Sequence, residues 1–126
     1  MDQRRTVLLA DASEEFRSLL REEIEKTGEF SVDIAQDGNE VLKKVEERTP
    51  DLLVMDAMLA GLDGISVLRQ LQKQENGPMT ILTSGFVSGR MLMEASELGV
   101  AYFLPKPFET ENLLDKMRGL FLQTPK

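Results

Sequence analysis

Four polar or charged residues each lie at the end of a short, mostly apolar stretch. Asp11 follows VLLA, Asp56 ends LLVMD, Thr83 follows MTIL, and Lys106 lies between two prolines after YFL. Carboxylates suit a hard cation such as Mg²⁺, and a lysine ammonium suits a phosphoryl oxygen as a compact positive charge. If folding brings these side chains together, they predict a small site for a phosphate group and a cation.

The composition excludes several kinds of chemistry. The 126 residues include no cysteine and no histidine, so thiolate sites and histidine-based nucleophilic catalysis are excluded and any metal must be held by oxygen. The net charge of −7 makes direct nucleic-acid binding unfavourable. The first residues, MDQRR, lack the apolar stretch of a signal peptide, and no apolar run reaches membrane-spanning length. We therefore expect a single cytoplasmic domain without membrane contact.

Short apolar stretches alternate with longer amphipathic ones along the whole chain. The pattern predicts strands at 6–10, 30–35, 52–55, 79–82 and 101–104, and helices at 13–26, 38–48, 64–74, 88–98 and 109–121. Five strand–helix pairs indicate an α/β fold with a doubly wound, five-stranded parallel sheet and five helices. The alternating second strand is expected near an edge. Ligands of such sheets bind beyond the carboxyl ends of the strands, where all four candidate residues are predicted to lie.

Asp56 is the best candidate for a residue that itself receives a phosphoryl group. The chain has no glycine-rich phosphate loop of the form GxxxxGK[ST], so a nucleotide is not the obvious ligand. An aspartate carboxylate can act as a nucleophile and form an acyl phosphate. Asp56 lies between the other three candidates in chain order and precedes the loop MLAGLDG.

These motifs, in this order, resemble the receiver domain of bacterial two-component response regulators. The resemblance covers residues 5–122 and rests on Asp11, Asp56, Leu62-Asp63-Gly64, Thr83-Ser84 and Lys106-Pro107-Phe108. It implies a flavodoxin-like receiver domain at 1–122, followed by a tail or the start of a linker at 123–126. Within the family, ADAS and LGVAYFLPKPFETENLL are most similar to the receiver of the sporulation master transcription regulator.

The resemblance also implies a chemical role for each candidate residue. Asp56 would accept a phosphoryl group from a phosphohistidine on a histidine kinase or phosphotransfer protein. Asp11, Asp56 and the backbone carbonyl of Met58 would bind Mg²⁺, while Thr83 and Lys106 would hold the phosphate. Such a protein phosphorylates and dephosphorylates itself, and it is not an enzyme that turns over a diffusible metabolite.

A switch and a set of partners follow from the same resemblance. Phe103 matches the family's switch aromatic, which would turn inward as Thr83 moves toward phosphate, although core packing explains an aromatic residue there equally well. The changed surface would be the face of the fourth helix, fifth strand and fifth helix. Expected partners are a DNA-binding output domain in a longer chain, or a second copy bound through that face.

The chain departs from the family at two places near the site. Ala12 replaces the second of two adjacent acids, which in the family is usually the direct Mg²⁺ ligand, and Leu59-Ala60 replaces Met-Pro. We therefore expect weakened Mg²⁺ binding, unless Ser13 or Glu14 compensates.

Two alternatives remain open at the level of sequence. The first is a pseudo-receiver, which keeps the fold but acts through protein contacts without phosphorylation; Ala12 favours it, whereas Asp56, Thr83 and Lys106 together argue against it. The second is a flavin-binding electron carrier, which would need a Ser/Thr/Gly phosphate loop that the chain lacks after the first strand.

Overall fold

The computed structural model describes residues 4–74 and 77–123. The strands are β1 (Arg5–Ala10), β2 (Phe30–Ala35), β3 (Leu52–Asp56), β4 (Met79–Ser84) and β5 (Tyr102–Pro105). The helices are α1 (Glu14–Glu25), α2 (Gly38–Glu47), α3 (Gly64–Leu71), α4 (Gly89–Glu97) and α5 (Thr110–Gln123). Within the described residues, no helix is both long enough and apolar enough to cross a membrane.

All five strands pair in parallel, in the order β2-β1-β3-β4-β5. The order reverses between β1 and β3, because β2 lies on one side of β1 and the later strands on the other. The predicted doubly wound α/β fold is confirmed, and so is the edge position of the alternating second strand. The crevice for a ligand is expected at this reversal, beyond the carboxyl ends of β1 and β3.

Side chains on the two faces of the sheet form two separate apolar cores. One core joins Val7 and Leu9 to α1 and α5, and the other joins Leu8 and Ala10 to α2, α3 and α4. Alternate residues of β1 thus point to opposite faces, and every residue of β3 is buried. Burial on both faces explains the continuous apolar runs of the central strands.

The observed element ends differ from the predicted ones in ways that matter for the site. β3 extends to Asp56 and β4 to Ser84, so Asp56 and Thr83 belong to the paired strands themselves. The third helix ends at Leu71 instead of the predicted 74, because the residues after Leu71 are exposed and polar and have no core to cover. The predicted domain boundary at 122 stays a prediction, and the last residues of the predicted tail, 124–126, lie outside the described residues.

Candidate functional site

The four predicted residues lie at one edge of the sheet. Asp11 follows β1, Asp56 is the last residue of β3, Thr83 is in β4, and Lys106 follows β5. Asp56 and Thr83 are register partners on neighbouring strands. Parallel pairing therefore brings residues far apart in sequence to the edge where the strand order reverses.

Lys106 connects the two carboxylates directly. Its Nζ donates to Oδ2 of Asp11 and to Oδ2 of Asp56, each at 2.6 Å. Asp11 is 3 % exposed and Asp56 8 %, so both ion pairs are largely shielded from water. Thr83 is also buried and lies next to Asp56 on the neighbouring strand. The structure thus brings Asp11, Asp56 and Lys106 into contact, with Thr83 beside them.

The second oxygen of each carboxylate is held by the backbone two residues later. Oδ1 of Asp11 accepts from the amide of Ser13 at 2.8 Å, and Oδ1 of Asp56 accepts from the amide of Met58 at 2.8 Å. This local turn is one that aspartate forms readily. Both carboxylates are therefore fixed in orientation, with one oxygen toward the following loop and one toward Lys106.

The pKa of Lys106 reflects two opposing influences. Desolvation by burial is the largest and lowers the pKa, but hydrogen bonds and charge attraction from Asp11 and Asp56 together outweigh it. The net result raises the pKa of Lys106 above its ordinary value of 10.5. The lysine is therefore an ammonium ion at neutral pH, as a phosphate-binding role requires.

The Leu62-Asp63-Gly64 motif shapes the loop after Asp56. Asp63 is the N-cap of α3 and accepts from the amide of Ser66 at 2.9 Å. Gly64 donates to the carbonyl of Ala57 at 3.0 Å, and a Cβ added at Gly64 would lie 2.7 Å from the backbone oxygen of Asp56. Only glycine allows α3 to begin this close to the end of β3.

Ser84 joins the loop after β4 to the segment that contains Lys106. Its hydroxyl donates to the carbonyl of Phe86 at 2.6 Å and accepts from the amide of Phe86 at 3.0 Å. Its own carbonyl accepts from the amide of Lys106 at 2.7 Å. The two loops that border the site on the β4–β5 side are therefore fixed relative to each other.

Two residues of α1 contact the site and were not predicted to do so. Nζ of Lys106 lies 4.2 Å from the ring centroid of Phe16, and Nη1 of Arg17 donates to the backbone oxygen of Asp11 at 2.6 Å. Arg17 is buried, and its Nε has no hydrogen-bond partner within the described part of the chain. An apolar residue at helical spacing, such as Phe16, carries no sequence signal of contact with a distant lysine, and no sequence pattern distinguishes a buried arginine from an exposed one.

The site has fewer oxygen donors than the family pattern provides, but these donors still fit Mg²⁺. Asp11 and Asp56 supply two carboxylates, and within the described residues no group of three or more Asp, Glu, His or Cys comes together. Ala12 adds no oxygen from its side chain, the hydroxyl of Ser13 accepts from the amide of Phe16, and Glu14 is exposed. Since Mg²⁺ is commonly held by one or two carboxylates plus phosphate and water, two carboxylates suffice in principle.

Phe103 is half-buried and packs against the core formed with α2, α3 and α4. This position agrees with the core-packing interpretation of the aromatic residue. Its role as a switch stays a prediction.

Comparisons with known sequences show which proteins this chain is similar to. The sequence profile described as "Response regulator receiver domain" matches residues 7–118. The response regulator MprA of Mycolicibacterium vanbaalenii is 38% identical over 120 residues, which cover 94% of this chain and 51% of MprA. MprA of Mycobacterium avium gives the same identity and coverage. The chain thus spans about half the length of these curated relatives.

Solved structures share the fold over nearly the whole chain. The receiver domain of the Francisella response regulator 1452 has a TM-score of 0.88 and 30% identity, and the match covers 96% of this chain and 99% of that one. A CheY-like receiver domain protein from Methanospirillum hungatei has a TM-score of 0.91 at 22% identity, covering 96% of each chain, and so supports the fold alone. Given the profile match over most of its length, the chain belongs to the response regulator receiver domain family.

Proposed function

We propose that this receiver is a phosphoacceptor, which takes a phosphoryl group from a phosphohistidine of a histidine kinase or phosphotransfer protein onto Asp56. The observation that supports this most directly is the ammonium of Lys106, 2.6 Å from both Asp11 and Asp56 at the edge where the strand order reverses. A buried carboxylate beside a fixed cation is a suitable acceptor for a group that brings further negative charge.

The transfer exchanges one phosphorus bond for another. The P–N bond of the phosphohistidine breaks, and a carboxylate oxygen of Asp56 forms the new P–O bond of an acyl phosphate. The electron pair of the broken bond stays on the imidazole nitrogen, which then takes up a proton. Most of what such a transfer needs is positioning and neutralisation of charge.

The residues of this chain meet that need in different ways. The amide of Met58 holds one oxygen of Asp56, and Lys106 is available to neutralise a phosphoryl oxygen. The hydroxyl of Thr83, on the neighbouring strand, would donate to another. Mg²⁺, when bound by Asp11, Asp56 and the carbonyl of Met58, would neutralise further charge on the phosphoryl group. Its binding is expected to be weak, because position 12 is alanine.

The output is proposed to be a change of surface. Phosphorylation would replace the carboxylate of Asp56, with one negative charge, by an acyl phosphate with nearly two. The phosphoryl oxygens would draw Thr83 toward the phosphate and allow Phe103 to turn inward. The face of α4, β5 and α5 would then differ between the two states. Because the MprA relatives are about twice as long as the matched region, we propose a DNA-binding output domain or a second receiver as the partner. We also propose that the protein is located in the cytoplasm.

Intact-mass spectrometry tests the acceptor directly. The protein is incubated with acetyl phosphate and Mg²⁺, beside Asp56→Asn and, as a matched control, Asp63→Asn, which removes a nearby charge but keeps a capping residue. We expect one phosphoryl adduct on the wild type and on Asp63→Asn, and none on Asp56→Asn. An adduct that persists in Asp56→Asn would contradict the assignment.

The alternative, a pseudo-receiver, is favoured by one observation, the alanine at position 12. An Ala12→Asp variant separates the two functions in the same experiment. An adduct on Ala12→Asp alone would mean that the natural chain acts through protein contacts without phosphorylation. The finer similarity to the sporulation regulator stays a prediction, since the relatives named above are MprA regulators.

A further inference from the structure

The aromatic ring of Phe16 lies against the ammonium of Lys106. The ring centroid is 4.2 Å from Nζ, and the ring of Phe108 packs edge-on against Phe16, with centroids 5.9 Å apart and planes at 85°. The electron-rich face of an aromatic ring attracts a cation at this distance, more strongly where water is excluded. We infer that Phe16 is a positioning residue, which holds the Lys106 ammonium between Asp11 and Asp56.

A closed set of contacts fixes Phe16 relative to the site. The amide of Ser13 donates to Oδ1 of Asp11 at 2.8 Å, and the amide of Phe16 donates to the hydroxyl of Ser13 at 3.2 Å. Lys106 then returns to Asp11 through Oδ2 at 2.6 Å. The ring is thus attached to the backbone that also orients Asp11, so its position over the ammonium does not depend on side-chain packing alone.

Phe108 holds the same arrangement from the other segment. It lies two residues after Lys106, and its contact with Phe16 joins the segment after β5 to the first turn of α1. The ring of Phe16 therefore contacts both the ammonium of Lys106 and Phe108, which belongs to the same segment as Lys106. Movement of Lys106 away from the carboxylates would separate the ammonium from Phe16.

The ring complements the two carboxylates chemically. An ammonium has three N–H donors, and carboxylate oxygens accept two of them. The attraction of the ring requires no particular hydrogen-bond direction, so it persists while the lysine exchanges a carboxylate oxygen for a phosphoryl oxygen. The side chain of Ala12 has no charge that could face the lysine. Besides the two carboxylates, Phe16 is therefore a further electron-rich group in contact with the ammonium of Lys106. The expected effect of Phe16 on phosphotransfer rests on the proposed function, whereas its effect on the position of Lys106 does not.

A set of substitutions at Phe16 tests the inference. Phe16→Leu keeps an apolar side chain without a π face, whereas Phe16→Tyr keeps the face. The matched control is Phe121→Leu, which removes the ring of a comparable pair with Arg5, 4.6 Å from its centroid and outside the site. The first measurement is the proton chemical shift of the Lys106 side chain, which the ring current of Phe16 moves upfield. The second is the rate of phosphorylation by acetyl phosphate.

We expect Phe16→Leu to lose the upfield shift and to slow phosphorylation by about tenfold, as loss of a desolvated cation–π contact implies. Phe16→Tyr and Phe121→Leu should retain both properties. A wild-type shift or a wild-type rate in folded Phe16→Leu would overturn the inference, and if that variant does not fold, Phe16→Met replaces it with the same expectations. If the wild type itself forms no phosphoryl adduct, the proposed function fails, while the chemical shifts still decide whether Phe16 positions Lys106.

Discussion

Lys106 is the positive charge that faces two carboxylates, of which Asp11 is 3 % exposed and Asp56 8 %. Buried charges are tolerated when they are paired and costly when one partner is removed. The pair distances of 2.6 Å leave little room for water between the lysine and either acid. Replacement of Lys106 should therefore affect stability more than replacement of a surface lysine.

We predict that Lys106→Met lowers the free energy of unfolding by about 3 kcal/mol near neutral pH without divalent cations, because two buried carboxylates lose their cation. The pKa of Lys106 is raised above 10.5 in the folded state, so its stabilisation is complete below that value and is lost as pH rises through the folded pKa. The difference from the wild type should thus be constant near pH 8 and shrink above 10.5. Urea unfolding at a series of pH values measures it.

Lys116→Met is the control for this prediction. Lys116 lies 5.1 Å from the ring centroid of Tyr102, away from the buried carboxylates. Its replacement should change stability by no more than about 0.5 kcal/mol. An equal effect of the two substitutions would mean that the ion pairs of Lys106 do not stabilise the fold.

The connection between β3 and α3 determines how close a helix comes to the acceptor. Gly64 is buried, and its amide donates to Ala57, whose own amide donates to the carbonyl of Thr83 at 2.8 Å. A side chain at Gly64 would meet the backbone of Asp56 and Ala57, neither of which can rotate away. The glycine thus sets the packing of this element, and the aspartate before it caps the helix.

We predict that Gly64→Ala destabilises the protein by about 2–3 kcal/mol, as overpacking against a fixed backbone does. It should also displace Asp56 and so slow phosphorylation by acetyl phosphate. Chemical denaturation followed by circular dichroism measures the first effect, and intact-mass spectrometry over time measures the second.

Gly119→Ala provides the comparison within a helix. A Cβ at Gly119 in α5 would meet nothing within 4 Å, so the gain in helix propensity should stabilise the protein by up to about 1 kcal/mol. Equal destabilisation by both substitutions would show that close packing at Gly64 is not the cause.

Across the whole molecule, the helices are anchored unequally. Four apolar residues of α5 are buried: Leu113, Leu114, Met117 and Leu120. In α4 only Ala95 is buried, while Leu92 and Met93 are exposed. Regions with little buried apolar surface open at lower free energy than the core. The helix α4, which is expected to change with phosphorylation, thus has less buried apolar surface than α5.

We predict that the amide hydrogens of α4 exchange with solvent faster than those of β1, β3 and α5 in the unphosphorylated protein. Hydrogen-exchange mass spectrometry, or exchange followed by NMR, measures this ranking directly. Protection of α4 equal to that of the central strands would contradict it, and would argue against α4 as a mobile part of the output surface.

Much of the fold could be predicted from the sequence because it depends on local patterns. Continuous apolar runs predicted the central strands, alternation predicted the edge strand β2, and helical spacing predicted the five helices. The shortened α3 shows the limit of this reasoning, since a polar segment continues as helix only if tertiary contacts support it. Fine boundaries are therefore decided by packing.

The periodicity of the amino-acid sequence is enough to locate the ends of the strands, and thus to predict that Asp11, Asp56, Thr83 and Lys106 share one edge of the sheet. The folded structure was needed to show that Lys106 bridges both carboxylates and that Phe16 lies against its ammonium. The reason is physical: strand ends follow from chain-local periodicity, whereas the contacts of a long side chain depend on how α1 and the segment after β5 pack across the sheet. Those contacts join residues up to 95 positions apart, which no local pattern encodes.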